Sequence, residues 1–427
     1  MSRAAVNSQP GGTGLRGRPW GTALVVAAVA AVIAGGAGTL ALFGSAPTEA
    51  SVGNNWAAGA TSLPASDPGG NGPATGDEAA VPGQVACPTA GRCFVVGGYL
   101  DSAGNSAAVI ETVIETAPGS VAIDDAVAPE PATNPSGNVP QSSGSANLFA
   151  QLYSVSCASA SFCVAVGVYQ DSAGGDWALI ETWQGGSSWT PSVAPEPASN
   201  NAEFGPGTGA RQVAALWDVD CYGVGDCVAV GSYGDSDGHA WPMIDTLLQG
   251  SWSATTVDVA DQAVGADAES SWLSVVSCAP NGFCAAGGAY NDQYNSANWG
   301  VLATGWDGHW VSASALPPAA SDAWASGIDA VACPPTGHCV ALGVGGNDTL
   351  IAYTEDGEDW SSSVVPLPAG NSAGTPTDWG NDYFSISCPA NGACIATGNV
   401  NASWEATIIT QSAGGFTTAL APSPSGE

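Results

Sequence analysis

Twelve cysteines fall into six pairs with five residues between partners: Cys87 with Cys93, Cys157 with Cys163, Cys221 with Cys227, Cys278 with Cys284, Cys333 with Cys339, and Cys388 with Cys394. None is left over, and the pairs recur every 55 to 70 residues, the period of blades and solenoid units. The match extends beyond cysteine. Four residues after each second cysteine stands a glycine: Gly97, Gly167, Gly231, Gly288, Gly343 and Gly398. A short apolar stretch then ends in threonine, at Thr112, Thr182, Thr246, Thr304, Thr354 and Thr410. A glycine-containing turn follows, and then an aromatic at Trp189, Trp252, Trp310, Trp360 and Phe416, with Val121 near that place in the first copy.

Each unit reads as four short strands, exemplified by "LYSVSC", "CVAVG", a stretch ending "LIET" and a segment opening at the aromatic. Turn-formers such as "APNGF" and "PPTGH" sit between the cysteines, with glycine fourth after the first cysteine in five copies. That pattern expects a hairpin whose glycine takes positive φ. Paired cysteines at facing ends of adjacent antiparallel strands are close enough for a disulfide, each closing a small ring worth about 2 kcal/mol. Zinc knuckles usually keep two to four residues between cysteines, and an exported chain oxidises its thiols, so disulfides are expected and no metal.

Six four-stranded antiparallel units without helical periodicity stack as blades, and the expected fold is all-β: a six-bladed β-propeller spanning residues 84–427. A parallel β-solenoid has shorter coils and fewer hairpin turns. Ahead of the propeller, residues 1–20 carry Arg3, Arg16 and Arg18, and residues 21–44 hold no charge over a length that spans a bilayer. This reads as an uncleaved anchor with its N-terminus in the cytoplasm, or as a cleaved secretory signal. Either way the remainder is extracytoplasmic, membrane-anchored or secreted. Residues 45–83, rich in Ser, Pro and Gly, read as a flexible linker. Within them "NNWAAGATSLPASD" resembles later fourth-strand segments such as "DWSSSVVPLPAG", as an extra outer strand beside the last blade or by coincidence.

Charge excludes a class of partners. The chain holds 38 acids, five arginines and no lysine, for a net charge of −33, and past the apolar segment only Arg92 and Arg211 are basic. Such a surface repels phosphate backbones and anionic headgroups, so no nucleic acid is expected, and membrane contact only through the N-terminal segment.

The order of strand, hairpin, "VAVG", strand ending in threonine, glycine turn and tryptophan resembles the Asp-box (BNR) propellers, which include sialidases and non-enzymatic propellers. Thr354, Asp356, Gly357 and Trp360 in "TEDGEDW" come near the box but one residue short, while "TWQGGSSW" keeps Thr182, Gly186 and Trp189 with Gln184 at the aspartate position. The resemblance implies the fold. Sialidases of that group clamp a carboxylate with three arginines, which Arg92 and Arg211 cannot supply, and Arg92 sits in a cysteine hairpin.

His239, His309 and His338 stand in three different units in turn-like contexts, without the convergence a catalytic or metal cluster needs. "YLDSAGN", "YQDSAGG" and "YGDSDGH" place Asp101, Asp171 and Asp235 two residues after a tyrosine, and aspartate followed by glycine three later is the chemistry of a tight turn. Calcium at Asp235 and Asp237 would need more oxygen ligands. The longest loops lead into the units, and there Asp322 with Trp324 and Asp378 with Trp379 repeat an acid-plus-indole pairing. Indoles stack on sugar rings and carboxylates accept hydroxyl hydrogen bonds, or the pairs cap the core between blades. With Arg211 these are the candidate ligand residues. The expected role is a non-catalytic binding or scaffold module for a protein or polysaccharide at a bacterial surface, using no cofactor. A carboxylate-dependent glycan hydrolase is the alternative.

Overall fold

A computed structural model describes residues 63–65, 73–74 and 80–421, apart from 118–119, 141–148, 198–212, 236–238, 258–267, 293–296, 315–326, 346–348, 357–358, 367, 369–384, 390–392, 401–404 and 413–414. Each cysteine repeat folds as a four-stranded unit. Unit 1 comprises β1 to β4 at Ala80–Thr89, Arg92–Leu100, Ser106–Ala117 and Ser120–Val127. Unit 2 comprises β5 to β8 at Ala150–Ser159, Phe162–Gln170, Asp176–Trp183 and Thr190–Val193. Unit 3 holds β9 to β12 at Ala214–Gly223, Asp226–Gly234, Ala240–Leu248 and Ser251–Thr255. Unit 4 holds β13 to β16 at Ala268–Cys278, Phe283–Asp292, Ala297–Trp306 and His309–Ser314. Unit 5 follows with β17 to β20 at Ala330–Ala332, Val340–Gly345, Thr349–Asp356 and Asp359–Val364, and unit 6 with β21 to β24 at Ser385–Ser387, Ile395–Val400, Glu405–Ser412 and Gly415–Leu420.

Within every unit, consecutive strands pair antiparallel. The first strands β1, β5, β9, β13, β17 and β21 pack on one another in chain order, which makes them the inner strands of a β-propeller arrangement. The expectation of six separate sheets needs correction. The described strands form four four-stranded sheets and one eight-stranded sheet that merges units 3 and 4. The merger has a simple cause: a parallel bridge, Ala240 to Ser270, joins the third strand of unit 3 to the inner strand of unit 4. The same contact recurs as isolated bridges between Ser106 and Phe149 and between Asp176 and Val213, where it ties unit 1 to unit 2 and unit 2 to unit 3.

All six expected cysteine pairs are disulfides. Cys87 is bonded to Cys93, Cys157 to Cys163 and Cys221 to Cys227 in units 1 to 3. Cys278 is bonded to Cys284, Cys333 to Cys339 and Cys388 to Cys394 in units 4 to 6. Their Cα atoms lie 3.9–4.1 Å apart. In units 2, 3 and 4 the partners lie directly opposite each other across the first hairpin. The second cysteine of each pair is the deeper one where both are described: Cys227 and Cys339 are fully buried, and Cys284 and Cys394 are 2% exposed. Each stands at the start of the second strand of its unit or just before it, and in units 1 to 5 that strand is covered on both faces. Positive φ is found at Gly225, Gly282 and Gly337 in these hairpins, whereas Gly91 does without it. The glycine four residues past the second cysteine answers a different need. The inner strand carries a β-bulge opposite it in units 2, 3 and 4. A Cβ on Gly167 would overlap the carbonyl oxygen of Gln151, one on Gly231 that of Ala215, and one on Gly288 that of Trp272.

The core lies between units. Phe94, Val96, Ala108 and Ile110 of unit 1 pack against Leu152, Ala165, Leu179 and Trp183 of unit 2. Val164, Val166 and Ile180 on the other face of unit 2 meet Leu216, Val219 and Met243 of unit 3. The fourth-strand aromatic plugs the outer part of this seam, Trp189 meeting Phe94 edge-on with ring centroids 5.1 Å apart. Arg92 is spent here too, its guanidinium 5.6 Å from the Trp183 ring centroid in a cation–π contact.

The segments 1–20 and 21–44 lie outside the described residues, as does most of 45–83. Among the described residues no helix is long and apolar enough to cross a membrane. The first strand begins at Ala80, ahead of the expected boundary at 84. What is described of the linker attaches to unit 1: Leu63 packs against Tyr99, Ala107 and Val109, and Pro73 bridges Asp101.

Candidate ligand face

Disulfide hairpins occupy one end of each unit. The opposite end carries the hairpins between second and third strands, built in units 1 to 3 on Asp101, Asp171 and Asp235, and the described part of the loop that enters unit 2. All three aspartates are fully buried and accept hydrogen bonds from their own turns. Asp171 Oδ1 accepts the N–H groups of Ala173 and Gly175, and Oδ2 accepts from Trp177 Nε1 at 2.9 Å. The entering loop is fastened to the same oxygen, with Asn134 Nδ2 at 2.6 Å and Asn138 Nδ2 at 3.0 Å. Although burial opposes the charge, these donors hold the Asp171 carboxyl below its usual range. Asp101 repeats the scheme with Ala103 and Asn105, and Asp235 with His239 and Trp241. The turn reading of these residues agrees with this geometry: their oxygens are committed to loop architecture.

One hollow opens on this face, about 370 Å³ in volume, between units 1 and 2. Val81, Tyr99, Leu100 and Phe149 give it apolar walls, while Ser106 and Gln151 are its polar groups. Gly98 lines it without a side chain. A Cβ there would come 3.3 Å from Gln151 Cγ and 3.4 Å from Ser106 Oγ. At the same repeat position the other units carry Val168, Ser232, Ala289, Val344 and Asn399. A hollow with apolar walls and a few convergent polar groups is the usual form of a small-ligand site.

A second polar array lies along the inner strands. Side chains one and three residues before the first cysteine reach forward to backbone N–H groups of the next unit's inner strand. Gln84 Oε1 accepts Val155 N–H at 3.1 Å, and Ser154 Oγ accepts Val219 N–H at 3.1 Å. Asp218 Oδ2 accepts Val276 N–H, and Asp220 Oδ2 accepts Cys278 N–H, both at 2.8 Å. Ser156 Oγ serves Cys221 N–H, and Ser277 Oγ serves Cys333 N–H. An inner strand is an edge strand with N–H groups the sheet leaves unpaired, and this array satisfies them. Burial, offset in part by these donors, pushes Asp218 up to about 7.

Carboxyls are also buried between units on the third strands. Glu181 is fully buried with no hydrogen-bond partner, and burial followed by the charge of Glu130 pushes it up to about 9. Glu130 itself, on the loop leaving unit 1, is pushed to about 7 by burial. Asp245 of unit 3 repeats the arrangement, raised well above its usual value by burial and by Glu196. At neutral pH Glu181 is therefore a carboxylic acid.

The five candidate ligand residues, Asp322, Trp324, Asp378, Trp379 and Arg211, all lie outside the described residues. Sequence reasoning missed the Gly98 hollow and the inner-strand array. The first was marked by a glycine where the other units have larger side chains, the second by polar residues flanking an otherwise apolar strand.

No family model matches the chain and no curated protein matches it. Solved structures do. AofleA from Arthrobotrys oligospora is 10% identical over 81% of this chain and 86% of its own, with a TM-score of 0.39. The fungal lectin of Aleuria aurantia, a six-bladed β-propeller, is 13% identical over 75% and 94%, with a TM-score of 0.34. A Hadza microbial sialidase is 10% identical over 80% and 66%, with a TM-score of 0.41. At these scores none of the likenesses says what this chain binds or does.

Proposed function

We propose that this chain is an extracytoplasmic, non-catalytic binding module, a ring of six disulfide-braced blades that holds a polysaccharide or protein at a bacterial surface on the face opposite its cysteine hairpins. The observation that carries the reading is the Gly98 hollow, whose Phe149, Leu100, Gln151 and Ser106 offer the mixture of apolar wall and hydroxyl-binding groups that a sugar ring takes. Asp322, Trp324, Asp378, Trp379 and Arg211, on loops that enter the inner strands, extend the same face in this proposal. An oxidising compartment fits the complete pairing of its cysteines. The N-terminal apolar segment anchors the module or directs its export.

The hydrolase alternative has one observation in its favour, the Asp218 carboxyl near 7, in the range a general acid needs. Against it, both oxygens of Asp218 are engaged, Oδ1 by Ser154 and Val219 and Oδ2 by Val276. A glycan array read alongside reducing-sugar release separates the two. Binding without turnover, lost on Gly98→Val, supports the module. Turnover abolished by Asp378→Asn or Asp218→Asn would replace it with the enzyme.

A further inference from the structure

The hydrogen bonds around Ser154 do not balance without an extra proton. Its Oγ lies 2.6 Å from Gln84 Oε1 and 2.7 Å from Asp218 Oδ1, and it accepts Val219 N–H at 3.1 Å. A serine hydroxyl has one proton to give. Gln84 presents an oxygen here, because the same atom accepts Val155 N–H at 3.1 Å. Two acceptors therefore compete for one hydroxyl proton, and oxygens at 2.7 Å need a hydrogen between them. The balance closes when Ser154 gives its proton to Gln84 and receives one from Asp218. Asp218 Oδ2 goes on to accept Val276 N–H at 2.8 Å, so one line of hydrogen bonds then joins the inner strands of units 1, 2, 3 and 4.

The neighbouring row differs, for a reason visible in the sequence. Ser156 Oγ accepts Cys221 N–H and reaches Asp220 Oδ1 at 3.3 Å. Unit 1 has Ala86 at the head of this row where the first row has Gln84, so Ser156 keeps its proton for Asp220 and needs none from it. The surroundings of Asp218 also favour a proton. Burial pushes it up to about 7 against the donors Val276, Ser154 and Val219, and the charge of Asp220, two residues along β9, adds to the rise. From the strands on either side Asp218 receives the Ser154 hydroxyl and the Val276 N–H, while Tyr153, the titratable side chain of β5, answers to Asp176. Asp218 keeps partial exposure, through which its proton exchanges with solvent.

We propose that Asp218 carries this proton and that its loss in alkali releases Ser154 from Gln84, a pH-sensitive latch between units 1 and 2. Above neutral pH the Asp218 carboxylate takes the Ser154 proton for itself, and the link to unit 1 parts. Because the folded-state value lies above the ordinary 3.8, the latch contributes fully below about 3.8 and is lost as pH rises through about 7. The latched strands, β1 and β5, also carry Val81 and Gln151 of the hollow, so slackening bears on the proposed ligand face. The proton itself does not depend on what that face binds.

Carbon-13 NMR of the Asp218 carboxyl in the intact chain, with hydrogen-exchange protection read at Val155 and Val276, tests the latch. Expected is a titration near neutrality, with protection of Val155 about tenfold lower at about pH 8 than at about pH 6 and that of Val276 undiminished. Gln84→Leu frees the Ser154 proton for Asp218 and is expected to lower its midpoint by about one pH unit, a tenfold loss of proton affinity. Burial alone predicts the opposite sign, since leucine is the less polar neighbour. Asp218→Asn, whose amide gives a hydrogen to Ser154 at every pH, is expected to make Val155 protection independent of pH. Titration of Asp218 in the ordinary carboxylate range overturns the proposal and needs no variant. A midpoint unchanged or raised in Gln84→Leu overturns the proton count, and pH-dependent protection surviving in Asp218→Asn overturns the latch. The glycan array reads the ligand face separately, so either proposal can fail alone.

Discussion

Gly167 and Gly231 show how one missing side chain can be a condition of the fold. The bulged inner strand brings a carbonyl oxygen into the space a Cβ would take, and that oxygen is backbone and cannot rotate away. Gly167→Ala is expected to cost about 2–3 kcal/mol, the scale of overpacking in a tight core. Gly174→Ala, at a positive-φ turn with open space around it, is expected to cost about 1 kcal/mol. Urea titration of the two variants checks the order, and equal losses would remove the role assigned to the bulge. Glu181 makes the other residue-scale prediction. Its folded-state value lies above its unfolded value of 4.5, so its contribution to stability is full below about pH 4.5 and is lost as pH rises toward 9. Across that window each unit of pH removes up to about 1.4 kcal/mol per such group. Glu181→Gln, neutral at every pH, is expected to raise the melting temperature at pH 8 and to change it little at pH 4.5. A variant equally displaced at both would contradict a protonated Glu181.

At the scale of the strand, polar residues on an inner edge act as caps for the neighbouring backbone. Asp220→Ala leaves Cys278 N–H without its acceptor and is expected to cost about 1–3 kcal/mol, whereas Asp220→Asn keeps an acceptor oxygen and costs less. Equal losses for Ala and Asn would mean that charge, not acceptance, is what the strand requires. The strands themselves were legible because cysteine, glycine and threonine recur at fixed offsets, and each offset answers to a contact: a cross-hairpin disulfide, a bulge, a third-strand end. The Asp171 turn was legible from its glycine spacing. The Asp218–Val276 bond was not, because it joins residues 58 apart whose relation depends on how neighbouring units are angled. Nor was the hollow, since Gly98 reads as one more strand glycine until Phe149 and Gln151 of the next unit stand beside it.

Across the whole molecule, stability is shared among seams between units, and each unit is also clipped internally by its own disulfide. Opening such a small ring removes about 2 kcal/mol, so reduction of all six is expected to lower the melting temperature by well over 10 °C while the sheets persist at low temperature. Calorimetry with and without reductant measures it, and an unchanged transition would make the cysteines incidental. The parallel bridge at Ser270 merges units 3 and 4 into one eight-stranded sheet without altering the repeat, and the isolated bridges at Phe149 and Val213 make the same contact without merging their sheets. The most direct measurement of the central claim is an experimental density map of the full chain. The account predicts six four-stranded blades about one axis, each with a disulfide across its first hairpin and unit 6 seated on unit 1. A ring of any other number, or inner strands that do not share an axis, would contradict it.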